Sequence, residues 1–128
     1  MNLKTIFKRL ILLNLLLIVL IFISVSFESE EVVRFNENSY QQISNMILTI
    51  WGIWMLVYLI NLFLLYKFKS IAKPAYLFLN ILAVILVLLS GTSAMDSWTG
   101  ALDGIEMMVS GAILVLLYFT PIKKEFEK

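Results

Sequence analysis

Residues 10–27 read LILLNLLLIVLIFISVSF. Apart from Asn14, Ser24 and Ser26, every side chain in this stretch is apolar. A helix needs about 20 mainly apolar residues to cross roughly 30 Å of hydrocarbon. This run is long enough to span, and nothing in it marks a solvent-facing side. Three further segments match it: residues 47–66, 75–90 and 101–120. The last must begin near Ala101, because residues 105–119 alone are short. Each segment is longer than a barrel strand, and none alternates with the period of two that a strand requires. The fold class expected is therefore an all-α membrane protein: four antiparallel transmembrane helices in an up-down-up-down bundle, forming one domain over residues 1–128.

Composition supports this reading and narrows the chemistry. Hydrophobic residues make up 61% of the 128 positions and charged residues 15%. A soluble domain of that size has too little interior to hide so much apolar surface. Net charge is +1, so binding to nucleic acid by bulk electrostatics is not expected. Cysteine and histidine are both absent. Without cysteine there are no disulfides or thiolate metal sites. Without histidine the chain lacks the usual base near neutral pH and the commonest metal ligand. The expectation is a non-enzymatic chain with no metal and no cofactor.

The first segment has a second reading. Lys4, Lys8 and Arg9 precede it, and Ser24-Val25-Ser26 resembles a small-residue cleavage site, as in a signal peptide. The apolar run is longer than a usual signal core and serine is a weak cleavage residue, so a retained helix is expected. Residues 27–42 are polar and acidic, with Glu28, Glu30, Glu31 and Glu37, and read as a solvated connector. Their spacing is not that of a calcium loop. Residues 67–74 form a short basic turn in which Pro74 suits a helix start. Residues 91–100 form a Gly/Ser/Thr loop with Asp96 and Trp98, and Pro121 ends the last helix.

Orientation follows from lysine and arginine. Lys4, Lys8, Arg9, Lys67, Lys69, Lys73, Lys123, Lys124 and Lys128 fall on one side, and only Arg34 on the other. This asymmetry predicts both termini in the cytoplasm. Trp51, Trp54 and Trp98 lie toward the outer ends of the spans and Tyr66, Tyr76 and Tyr118 toward the inner ends, as aromatic interface belts would. Lys67, Lys69 and Lys73 could hold anionic lipid headgroups, although topology alone accounts for them.

Three residue sets are candidates for function. Gly100, Gly104 and Gly111 fall on nearly one line of the fourth helix, a small-residue stripe that would let another helix approach closely. Asp103, Glu106 and Ser110 share a stripe beside it, a candidate ion or proton site. On a helix starting at Ala101, Glu106 is only about 8 Å deep, where headgroups still solvate a carboxylate. The shallow reading is favoured over a buried proton or cation site. Asn14, Asn61 and Asn80 lie at similar depths from their basic boundaries and are expected to form one hydrogen-bonded packing layer across the first three spans.

The stretches Leu102-Asp103-Gly104, Gly111-Ala112-Ile113-Leu114 and residues 117–124 resemble the ending of small uncharacterised four-span membrane proteins of bacteria. That resemblance implies a bacterial inner membrane and no particular activity. The first-span glutamate of small multidrug transporters, the glycine- and arginine-rich start of fluoride channels and the cysteines of quinone-linked disulfide oxidases are all missing. The leading expectation is a non-enzymatic accessory or interaction subunit in the inner membrane, partnered by the bilayer and by a homo-oligomer or larger membrane complex. The alternative is a small oligomeric proton- or cation-coupled transporter or channel using Glu106 and Asp103. An enzyme acting on lipid comes third, since no paired catalytic motif is present.

Overall fold

The computed structural model describes residues 2–40 and 45–127. Five α-helices follow in order: α1 (Leu3–Val25), α2 (Glu30–Tyr40), α3 (Asn45–Tyr66), α4 (Ala72–Ser90) and α5 (Ser97–Phe119), then a 3-10 helix, Pro121–Phe126. α1, α3, α4 and α5 are long and apolar enough to cross a membrane. Leu16, Phe63, Phe78, Leu88 and Met108 are among the many large apolar side chains on the outside of the bundle. Lipid is the solvent that tolerates such a surface. The protein is an all-α, four-helix, multi-pass membrane protein.

α1 packs along α5 and α3 along α4; the α1–α3 contact is narrower and the α4–α5 contact narrowest. The start of α1, the 3-10 helix and the α3–α4 turn share one end of the bundle, called here the terminal end. Packing is dense there. Phe7, Ile11, Leu62, Leu65, Ala72, Ile113, Leu117, Ile122 and Phe126 are all buried. Toward the opposite end, which carries α2, no residue of α3 before Tyr58 is buried.

The terminal end closes on three rings. Phe7 of α1 stacks on Phe68 of the α3–α4 turn at 5.7 Å, and Phe126 meets both edge-on at 5.9 and 5.3 Å. Phe68 has φ of 54°, a left-handed conformation usually left to glycine. It ends α3 in a Schellman motif: its N–H donates to the Leu65 carbonyl and the Lys69 N–H to that of Leu64. Ring burial offsets a backbone cost of about 1–2 kcal/mol. A Lys4–Glu125 ion pair at 2.8 Å and a bond from the Tyr118 hydroxyl to the Lys73 carbonyl complete the closure.

The α2 end departs from the expected solvated connector. Residues 30–40 form a helix; Gln41 and Gln42 lie outside the described residues. Glu30 and Glu31 occupy its first turn, where the helix dipole favours negative charge. Its neighbours hold it by polar contacts. The Asn36 amide and the Ala94 backbone exchange two hydrogen bonds, at 3.0 and 2.9 Å. The Asp96 carboxylate accepts from the Ser29 N–H and hydroxyl, and so reaches α2 and makes no cap to its own helix. The Thr99 hydroxyl donates to that of Ser24. Gly91, with φ of 76°, ends α4 before this loop.

Replacing Phe126 with alanine removes one of the three closing rings. It should lower stability in detergent by about 3 kcal/mol, read as a drop in the thermal unfolding midpoint. An unchanged midpoint would mean that the 3-10 helix contributes nothing to closure.

Candidate functional site: a polar centre inside the bundle

Asn14 and Glu106 face each other between α1 and α5. The Asn14 Nδ2 group donates to Glu106 Oε1 at 2.7 Å and to Ser110 Oγ at 3.1 Å. Ser110 stands one turn beyond Glu106 on α5 and donates to the same Oε1 at 2.9 Å. Tyr58 of α3 and Tyr76 of α4 enter from the other side. Tyr76 donates to Ser110 Oγ at 3.0 Å. The Tyr58 oxygen lies within 3.0–3.4 Å of Ser110 Oγ, Tyr76, Asn14 Oδ1 and Glu106 Oε1. All four membrane helices therefore meet at one polar knot.

Counting protons orders the knot. Asn14 Nδ2 carries two, and Ser110, Tyr58 and Tyr76 carry one each. Glu106 Oε1 accepts directly from Asn14 and Ser110, Tyr76 feeds Ser110 from behind, and the single Tyr58 proton is within reach of Asn14 Oδ1. The chain thus ends on one carboxylate oxygen. Oε2 of the same carboxylate has no hydrogen-bond partner among the described residues, and it is not sealed from its surroundings.

Depth changes the reading of Glu106. α5 starts at Ser97, so Glu106 lies about 14 Å along a helix of roughly 33 Å. Asn14 lies near the middle of α1. Residues 97–100, expected in the loop, join the helix, so Glu106 lies about a turn further from the start of α5 than a start at Ala101 implied. Ionised groups inside a span are rare, and they pair with one another or face the bundle interior.

The other sequence candidates fare differently. Asp103 does not join Glu106 and Ser110, with which it shares no hydrogen bond. It lines a separate half-open cavity of about 310 Å³ beneath α2, with Glu28 and Glu37, apolar Ile21, Val25, Val33 and Met95, and buried Thr99. Gly100, Gly104 and Gly111 seat no helix within the protomer, because a Cβ built on each meets nothing within 4 Å. The asparagines do not form one layer either. Asn14 belongs to the knot. Asn80 donates to the Tyr76 carbonyl of its own helix. Asn61 is 2% exposed, and neither atom of its amide group has a partner. Neither a shared level nor the faces on which the side chains lie was legible.

The tyrosines of the knot were missed as site residues. Tyr76 was assigned to an interface belt, yet it is fully buried. Trp54 likewise turns inward. It stacks on Tyr58 at 5.0 Å and donates to the Leu79 carbonyl in mid-α4. Trp51 packs edge-on against Trp54 and donates to Ser90 Oγ. The spacing Trp51, Trp54, Tyr58 is a one-face helical pattern, and it was the available signal. These rings form a column from the α2 end to the knot.

Two asparagines of similar expected role should then respond with opposite signs. Asn61→Leu removes an orphaned amide and should raise stability by about 1–3 kcal/mol. Asn14→Leu strips donors from Glu106 and Ser110 and should lower it by about 2 kcal/mol. Equilibrium unfolding in detergent tests both, and a destabilised Asn61→Leu protein would reveal a partner for that amide.

Comparison with known proteins gives no relative: no family model, no curated protein and no solved structure matches this chain.

Proposed function

We propose that this protein is a small, non-enzymatic inner-membrane protein of bacterial type that passes a proton or small cation through an oligomer of four-helix bundles, with Glu106 as the group that takes up the charge. The observation that carries the proposal is the mid-span carboxylate. Oε1 is held by hydrogen bonds from two helices and the close Tyr58 of a third, and Oε2 has no partner among the described residues. A carboxylate at that depth costs about 2.5 kcal/mol or more unless its charge is matched. A polar knot can hold it there in wait for a countercharge.

The surroundings support a path from one side. Asp103 lies one turn nearer the α2 end and faces the acidic cavity. Toward the terminal end the next polar side chain is the buried Asn61, and beyond it Ile11, Leu62, Leu65, Ile113 and Leu117 are aliphatic. The lysine and arginine bias gives both termini to the cytoplasm, which turns the cavity to the exterior. Asp103 then acts as the entry group and Glu106 as the gate beneath it.

An accessory or interaction subunit is the second reading. The open face of Gly100, Gly104 and Gly111 favours it, because a partner helix could approach there without a clash.

The full chain reconstituted in liposomes should carry a proton or cation flux that Glu106→Gln abolishes and Asp103→Asn slows. Flux that survives Glu106→Gln would remove the carboxylate from the mechanism. For the second reading, crosslinking in native membranes should trap a defined larger complex that Gly104→Leu disrupts; a lone monomer would count against it.

A further inference from the structure

We infer that the species Glu106 accepts is a proton and that the knot is built to refuse metal cations. The inference rests on the reading of Glu106 as the group that takes up charge.

A metal ion asks for several oxygen lone pairs aimed at one point: six to eight for calcium, a near-octahedral six for magnesium. The knot presents the opposite to its carboxylate. In front of Oε1 stand hydrogens. Asn14 offers the nitrogen end of its amide, at 2.7 Å, in the place a cation would occupy. Its oxygen is turned away to Tyr58. Ser110 also presents its hydrogen to Oε1, while its lone pairs are taken by Asn14 and Tyr76. Seating a metal would require the Asn14 amide to flip and at least three of these bonds to break. No second carboxylate is at hand, since Asp103 lies in its own cavity, and no group of three acidic, cysteine or histidine side chains gathers among the described residues.

A proton makes no such demand. It needs one lone pair, and Oε2 has one open. The step is a simple transfer: a hydronium ion gives its proton to Oε2 and leaves as water, and the carboxylate becomes a neutral acid. No other bond changes, and the bonds on Oε1 stay in place. The groups facing Glu106 are compatible with this. α1 brings only the neutral Asn14, α3 and α4 bring Tyr58 and Tyr76, and Asp103 is the nearest other carboxylate on α5. Asn14 is thus a positioning residue whose donor end sets the selectivity.

Infrared difference spectroscopy tests this on the full chain in phosphatidylcholine vesicles. A pH step should raise a carboxylic-acid carbonyl band that is missing from Glu106→Gln. Its midpoint should stay put when choline is exchanged for sodium, potassium or magnesium at constant ionic strength. A midpoint that falls as any of these metals is added would show competition at Glu106 and overturn the inference, leaving the proposed function standing. The absence of any Glu106-dependent band would overturn both. Asn14→Asp replaces the donor with an oxygen and should make the midpoint sensitive to metal. If that variant folds and remains as indifferent to metals as the natural chain, the role given to the amide is wrong.

Discussion

A polar group inside hydrocarbon has no water to fall back on, and the bond between Asn14 and Glu106 is where this chain meets that constraint. It joins residues 92 positions apart. Without it, α1 would carry a lone amide and α5 a lone carboxylate at mid-depth. With it, both helices acquire a fixed rotation about their axes, because only one face of each bears the polar side chain. Dispersion packing alone would hold α1 and α5 together, but it distinguishes poorly between faces that are all leucine, isoleucine and valine.

The remaining helices are set by reference to that pair. Tyr58 and Tyr76 reach the same spot from α3 and α4, so the two hairpin helices are rotated to present them. Trp54 then supports Tyr58 from the side and anchors on an α4 carbonyl. Below the knot the bundle closes on aliphatic residues and the three phenylalanines. Above it, α2 with the α4–α5 loop makes the roof.

How much of this could be read from the residues alone follows from geometry. Four spans were legible because length and apolarity are properties of a segment by itself. The level of the asparagines was not legible: Tyr58 and Tyr76 meet, but Asn61 follows Tyr58 toward the terminal end and Asn80 follows Tyr76 toward the α2 end. The start of α5 was not legible either, because residues 97–100 read as loop and their helical extension goes with the contacts between Asp96 and Ser29. Rotation about each helix axis was not legible. α3 is apolar almost all round, so hydropathy marked no face for Tyr58 and Asn61, and only the spacing of Trp51, Trp54 and Tyr58 did. The same blindness left open whether the glycine stripe was a seam within the protomer or between protomers. α2 was missed because a charged segment of eleven residues reads as connector until its contacts with Ala94 are known.

The pairing of the first and last membrane helices also bears on assembly. A chain is made from its N-terminus, so α1 enters the bilayer long before α5 exists. α3 and α4, joined by a five-residue turn, have a local partner at once. α1 does not: Asn14 and Glu106 are synthesised 92 positions apart. Until α5 arrives, the Asn14 amide has Tyr58 of α3 for its oxygen, while its Nδ2 protons wait for Glu106 and Ser110. The docking of the last helix is therefore what completes the knot, and a nascent chain that stops before Ser110 lacks one of its members.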